Sequence, residues 1–249
     1  MKISALIVAR NEEKKIESTL QSLNFADEII VILDRTTDKT ESICRKYTKK
    51  IFKGSWHSEG ERRNFGIKNC NFTWILEIDA DEIINQDLSV EISNAIKSKS
   101  SDYYYIRLVN YVGTKAIKFG WMACMAPDGK FCLFKKKNKY WLNGRVHPSY
   151  KIHGRKGKGL ENYIIHNMSD NISDLLKKFN RNTSFNAIDL VEQNHKLEKL
   201  FSIRKVVSRF LKCYVARKGF LSGNEGLTIS LLSAIYPLVS AMKAKYDKH

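Results

Sequence analysis

The sequence predicts an α/β protein built on a largely parallel sheet, followed by a basic helical extension. Three observations carry that prediction. Short apolar runs rich in β-branched residues alternate with helix-spaced segments through about the first 85 residues, the pattern of successive βαβ units. From Ser173 onward apolar residues recur at helical spacing, beginning with Leu175, Leu176 and Phe179. Charge divides along similar lines: the first hundred residues balance sixteen basic against sixteen acidic groups, so the whole net charge of +17 comes from the remainder.

The elements follow in order. Lys2 to Ala9 reads as a buried strand, and Asn11 as the N-cap of a helix carrying Ile16, Leu20 and Leu23. Asp27 to Leu33 is a second strand, ending at Asp34, with a helix from about Lys39 to Tyr47 behind it. A short strand at Ile51-Phe52 and a helix from about Glu59 to Lys68 lead to the stretch Trp74-Ile75-Leu76-Glu77-Ile78-Asp79-Ala80-Asp81-Glu82. There an apolar strand climbs to two aspartates at i and i+2, a spacing that sends both side chains to one side of an extended chain. Two hard oxygen ligands in that position suit Mg²⁺ or Mn²⁺, although short acidic motifs also occur in solvated loops.

Ligands of open α/β sheets lie beyond the carboxyl ends of the strands. That rule draws together Arg10-Asn11-Glu12, Asp34 and Asp79-Ala80-Asp81, which follow the first, second and fourth strands. The edge is polar and acidic rather than glycine-rich. Neither a Gly-x-Gly-x-x-Gly turn nor a Walker A loop is present, so dehydrogenase and P-loop chemistry are disfavoured. A phosphatase using Asp-x-Asp would place the pair after its first strand, whereas here it follows about the fourth.

Composition narrows the class further. At 43% hydrophobic and 28% charged, the chain is ordinary globular protein with ample core. Five scattered cysteines without a Cys-x-x-Cys, and a start that runs straight into a strand, predict a cytoplasmic chain without disulfides or a zinc site.

Four segments together resemble family 2 glycosyltransferases: Val8-Ala9-Arg10-Asn11-Glu12, Leu33-Asp34-Arg35-Thr36-Thr37-Asp38-Lys39-Thr40, Gly60-Glu61-Arg62-Arg63-Asn64 and Asp79-Ala80-Asp81-Glu82. The resemblance implies a GT-A fold, a Rossmann-like nucleotide-diphospho-sugar transferase domain, over residues 1–170. Its nucleotide half would be 1–100 and its acceptor half 101–170, with a helical extension over 171–249. It implies that Ala9, Arg10, Asn11, Glu12 and Asp34 hold the base and ribose, and that Arg63 and Asn64 lie beside the nucleotide. Asp79 and Asp81 would hold the metal and diphosphate. Arg35 departs from the small residue usual in that loop, and is expected either to crowd the base or to reach a phosphate. Looser likenesses at Trp56, Pro127-Asp128, Leu133 to Lys136, Val146-His147 and His166 resemble the branch of lipopolysaccharide core β-1,4-glucosyltransferases. There the Val-His pair is commonly followed by Glu; here Pro148 stands in that place.

Sugar transfer needs a counter-charge for the leaving diphosphate, a base for the acceptor hydroxyl, and a pocket that aligns them. Asp128 in a Pro-Asp-Gly turn and Glu82 are the candidate bases, and His147 is a candidate third metal ligand. His166 reads first as a core or loop histidine and only second as a site. Lys115 to Lys158 carries twelve basic residues, one acid and interleaved aromatics. Such a surface can bind single-stranded nucleic acid, but beside a donor site it is read as a saccharide acceptor surface, with no nucleic acid expected. Phe201 to Lys212 is a basic amphipathic segment. Leu227 to Met242 is sixteen uncharged residues interrupted by Pro237, short of the ~20 that span a bilayer. The pair predicts a hairpin lying on an anionic membrane, or else helices packed on the domain. The expectation is therefore a metal-dependent hexosyltransferase using a nucleotide-sugar donor, UDP-linked, and the resemblance implies that it inverts. Its acceptor would be a lipid-linked or lipopolysaccharide-core saccharide at the cytoplasmic face of the inner membrane. The rival is a basic RNA- or anionic-lipid-binding module on an inactive transferase fold.

Overall fold

A computed structural model describes residues 1–144 and 148–247. In chain order the elements begin β1 (Ile3–Ala9), α1 (Ile16–Ser22), β2 (Glu28–Asp34), α2 (Thr40–Cys44), β3 (Ile51–Gly54), α3 (Glu59–Asn69), β4 (Trp74–Asp79), β5 (Glu82–Ile83) and α4 (Gln86–Ala95). They continue β6 (Tyr103–Val112), β7 (Lys115–Ile117), β8 (Gly129–Lys135), β9 (Lys139–Trp141), β10 (Tyr150–Ile152), β11 (Tyr163–Ser169), α5 (Ile172–Glu192), α6 (Ile203–Leu211) and α7 (Gly223–Tyr246). The chain forms two compact units. The first comprises Met1–Leu108, Gly129–Gly144 and Pro148–His166, and the second includes Val109–Asp128 and the chain from Asn167 on.

In the first unit the sheet order is β3-β2-β1-β4-β8-β6-β11-β5. The strands β3, β2, β1 and β4 are parallel, and β8 then pairs antiparallel with β4. Every residue of β1 is buried, as expected for a strand covered on both faces. By contrast β6 alternates buried and more exposed positions, the mark of a half-covered antiparallel strand. Parallel register sets Ala9 beside Leu33 and Val8 beside Asp79. The loops that follow these three strands therefore leave from one edge. Side-chain caps start the helices where chemistry allows: Ser58 accepts from Glu61 N–H before α3, and Asn85 from Leu88 N–H before α4.

Asn11 does not cap α1, contrary to expectation. Its φ of +56° turns the chain, and its side chain is engaged elsewhere, while α1 starts after Lys15 without a side-chain cap. Asparagine adopts that left-handed conformation at lower cost than most residues.

The second unit has its own core, in which Trp121, Met125, Leu175, Ile229, Leu232 and Tyr236 pack together. Its stretch Gly219–Tyr246 is, among the described residues, one helical run long and apolar enough to cross a membrane. Burial of Ile229, Leu232, Ala234 and Tyr236 gives that apolar content a packing role. Pro237 sits inside α7, where it lacks an N–H for the Ser233 carbonyl. Arg209 of α6 supplies the missing donors, from Nε at 3.1 Å and Nη2 at 3.0 Å.

Candidate active site

The loops after β1 and β2 are laced together by side chains. Asn11 Oδ1 accepts from Thr37 N–H at 2.8 Å, and Thr40 Oγ1 accepts from Glu12 N–H at 2.8 Å. Asp38 accepts from the Glu13 N–H at 3.1 Å and the Thr40 N–H at 3.0 Å. Ala9 is buried at the end of β1, and Arg10 projects into solvent. The predicted group Ala9 to Glu12 thus forms one wall of the edge, built chiefly from backbone.

Asp34 ends β2 and is almost fully buried. Arg35, with φ of +49°, folds back onto it through Nε at 3.0 Å and Nη2 at 2.8 Å. Arg62 Nη1 reaches the same carboxylate at 3.2 Å. Burial opposes ionisation of Asp34, but the Arg35 hydrogen bond, the Trp56 N–H and the two guanidinium charges hold it below the usual carboxylate range. In this conformation Arg35 covers the acid, a contact that is neither of the two expected at that position. Two polar atoms beside it, Arg62 Nε and Thr36 Oγ1, are buried without a hydrogen-bond partner. Buried polar atoms are normally paired, so two orphans beside one buried acid call for an explanation.

Neighbouring charges belong to a buried lattice. Arg63 donates to Glu59 at 2.7 Å, Glu77 at 3.1 Å and Asp79 at 2.8 Å, with its guanidinium 5.0 Å from the centre of the Trp141 ring. Burial opposes its charge, yet the surrounding Asp79, Glu59 and Glu77 carboxylates hold it firmly protonated. Asn64 brackets the backbone of Trp141, donating to its carbonyl at 2.8 Å and accepting from its N–H at 3.0 Å. Arg63 and Asn64, expected beside the nucleotide, tie α3 to β4 and β9 in this structure. The register of α3 against β9 also requires Gly60, where a Cβ would stand 2.0 Å from the Leu142 carbonyl oxygen.

The two aspartates of the Asp-x-Asp pair part company. Asp79 is held by Arg63 on Oδ1 and by Lys130 on Oδ2 at 3.1 Å. Glu82 is 1% exposed, accepting from Lys130 at 2.5 Å and from the Asp79 N–H at 2.9 Å. It anchors the turn that follows β4, which leaves no exposed oxygen for a substrate hydroxyl. Asp81 has a different partner, with His166 Nε2 at 3.5 Å from its Oδ1. The antiparallel register of β5 and β11, with His166 opposite Glu82, brings this about. Burial works against a charged His166, but Asp81 and its hydrogen bond raise the imidazole's pKa.

Among the described residues no three His, Cys, Asp or Glu groups are gathered as a cation cage. Asp81 offers a hard oxygen to a cation that completes its shell with substrate phosphates, and His166 would add an imidazole nitrogen once the cation displaces the proton that Asp81 now favours. His147 lies outside the described residues. Asp128, in the second unit, has a side chain 68% exposed and 3.5 Å from Arg217. Two groups that the motifs did not single out stand at or under the edge, Arg62 and Lys130, and His166, read first as a core or loop histidine, stands beside Asp81. Arg62 carried a usable signal, being next to Arg63 in the same segment; Lys130 carried none.

Comparison with known proteins follows the same lines. The profile described as Glycosyl transferase family 2 matches residues 4–152. An uncharacterised glycosyltransferase of Rickettsia typhi is 29% identical over 247 residues, covering 94% of this chain and 83% of its own. The lipopolysaccharide core biosynthesis glycosyltransferase LpsC of Rhizobium meliloti is 21% identical, covering 99% of this chain and 93% of its own. Among solved structures, S. aureus TarS 1–349 in complex with UDP superposes with a TM-score of 0.51 at 17% identity, covering 98% of this chain and 87% of that one.

Proposed function

Since the chain belongs to glycosyl transferase family 2, we propose that it moves a hexose from a UDP-sugar, with a divalent cation, onto a lipid-linked or lipopolysaccharide-core saccharide. The enzyme is a glycosyltransferase of the GT-A fold. The observation that carries the finer reading is the shared carboxyl edge, where the Asn11 loop, Asp34 with its orphaned neighbours, and the Asp81–His166 pair follow adjacent parallel strands. UDP is favoured because TarS was solved with it, and the core-saccharide acceptor because LpsC is named for that pathway. The working place would be the cytoplasmic face of the inner membrane.

In this reading the base and ribose lie along Ala9 to Glu12 and Asp34. The orphaned Arg62 Nε and Thr36 Oγ1 would find their partners in the nucleotide. Arg35 must then swing off Asp34, because its guanidinium covers the oxygens a ribose would use. Asp81 and His166 would hold Mg²⁺ or Mn²⁺, which when bound neutralises charge building on the leaving diphosphate. Asp79 is a positioning residue in this scheme: clamped by Arg63 and Lys130, it fixes the end of β4 from which Asp81 projects. Sugar transfer also needs a base to take the acceptor hydroxyl's proton; of the two candidates, Glu82 is 1% exposed, and Asp128 has a side chain 68% exposed within the second unit. The new bond joins the acceptor oxygen to the anomeric carbon as the bond to the diphosphate breaks. Inversion at that carbon remains what the family likeness implies.

The test is thermal shift with a panel of UDP-sugars, with and without Mn²⁺. A donor at a hundred times its Kd stabilises by ~2.7 kcal/mol, or roughly 5–10 °C for a chain of this size. Loss of the shift in Asp81→Ala and His166→Ala, but not in Glu82→Gln, is expected. No shift with any UDP-sugar overturns the donor assignment, and a shift indifferent to Mn²⁺ overturns the metal.

A further inference from the structure

The second unit presents a surface that none of the transferase chemistry uses. Along α6 and the wider turn that follows it, Ile203, Val207, Leu211 and Val215 are 83, 50, 50 and 55% exposed. Steps of four residues on a helix drift by only about 40° each, so these four form one continuous ridge. Phe220 and Leu221, next along the chain, are also about half exposed. An apolar ridge of this kind is costly to leave in water and marks a contact surface.

Charge says what kind of contact. Arg204 stands about 20° beyond Leu211 on the wheel, and Lys205 and Lys212 lie further round the same side, all three exposed. Residues 196–222 hold eight basic groups and a single acid, Glu198. The opposite flank of α6 is occupied inside its own unit, where Arg209 is bound to the Ser233 carbonyl. A helix with apolar side chains on one face and cations along its margin lies in the plane of an anionic lipid surface, apolar face down.

We propose that this ridge docks the protein on an anionic bilayer, with Ile203, Val207, Leu211 and Val215 inserted and Arg204, Lys205 and Lys212 among the headgroups. A second copy of this chain would have to bring acids to meet those cations, and the ridge itself holds none. The inference deepens the reading of a lipid-linked acceptor and takes its purpose from it, while its evidence is separate.

The experiment is co-sedimentation of the full chain with phosphatidylglycerol vesicles and with phosphatidylcholine vesicles. Wild type is compared with Val207→Asp/Leu211→Asp and with Arg204→Gln/Lys205→Gln/Lys212→Gln. Removing three surface cations is expected to weaken binding to phosphatidylglycerol roughly a hundredfold. The apolar variant should lose binding as well, and wild-type binding should fall with salt. Donor hydrolysis without vesicles should be unchanged in both variants. No binding by wild type, equal binding to both lipids, or variants that bind like wild type would each overturn the proposal. So would a dimer by light scattering that the variants dissociate while vesicle binding persists. A wild type that binds vesicles but neither binds nor hydrolyses any UDP-sugar would sink the transferase reading and leave this one standing.

Discussion

Replacing Lys139 by methionine keeps the length of a buried side chain and removes its charge. Lys139 is 5% exposed, and its ammonium donates to Glu77 at 2.8 Å and to the Phe131 carbonyl at 3.0 Å. It also lies 4.0 Å from the centre of the Trp141 ring and 4.6 Å from that of Tyr150. Its partner Glu77 stands on the central strand β4, fully buried, and among the described residues its other side-chain donors are Arg63 at 3.1 Å and the Trp141 indole at 3.2 Å. Removing one partner of a buried ion pair costs ~3–5 kcal/mol. Because Arg63 still faces Glu77, the low end applies: about 3 kcal/mol, or a fall in Tm of ~6–12 °C. Burial opposes the Glu77 charge, and Lys139 with Arg63 overcomes it, holding the carboxyl below its usual range. Deleting Lys139 therefore pushes that carboxyl up, and the deficit should shrink as the pH is lowered and Glu77 takes a proton. Adding Glu77→Gln should recover part of the loss, since it removes the charge left unmatched. Calorimetry on the three variants reads all of this. A Tm for Lys139→Met within about 2 °C of wild type, or no recovery in the double variant, would refute the buried pair.

Gly60→Ala should cost ~1–3 kcal/mol, because its methyl would meet the Leu142 carbonyl oxygen at 2.0 Å; a denaturant midpoint equal to wild type would refute that close approach. Arg209→Ala leaves the Ser233 carbonyl without its two donors and should cost ~1–3 kcal/mol. In an Arg209→Ala/Pro237→Ala chain the helix regains its own N–H, so the effect of the arginine should shrink in that background, read by urea unfolding. Glu28 is buried, which opposes its charge, but Lys50, Ser4 and the Asn71 N–H lower its pKa below the ordinary 4.5. A depressed carboxyl adds stability that is present above the unfolded value and lost as pH falls through the folded one. The gap in Tm between wild type and Glu28→Gln should therefore be full at neutral pH and close below about pH 4.5; a gap that persists into stronger acid would contradict it.

What the residues reveal before folding depends on how far apart the partners lie. The parallel half of the sheet is legible because β1, β2 and β4 are short, mostly apolar runs rich in β-branched residues, interrupted only by Ser4 in β1 and Glu77 in β4 between their ends, and the carboxyl-end rule then aligns Asn11, Asp34 and Asp81 without further information. The division of labour among the charged groups is not legible. Arg62 and Arg63 are neighbours in one segment, yet a helix separates adjacent side chains by about 100°. One therefore reaches Asp34 while the other reaches Glu77 and Asp79. Asp79 and Asp81 look equivalent in a motif, but Lys130, some fifty residues later, claims the first, and His166 stands beside the second. Such pairings leave no periodic trace.

The same distance effect alters what the net charge means. Composition assigns the whole surplus to the second half of the chain and invites a single polyanionic partner for it. In the folded protein that surplus has different destinations. Lys130 and Lys139 are consumed inside the first unit, where their carboxylates come from β4 and the turn after it. Arg209 is turned inward to the carbonyl that Pro237 leaves open. The cations that an external anion would meet are the exposed ones, and along α6 and just past its end these are Arg204, Lys205, whose ammonium also donates to the Lys199 carbonyl, and Lys212, beside the apolar ridge that the helix leaves uncovered. Their coincidence with that ridge, rather than the magnitude of +17, is what argues for a surface that is both greasy and anionic.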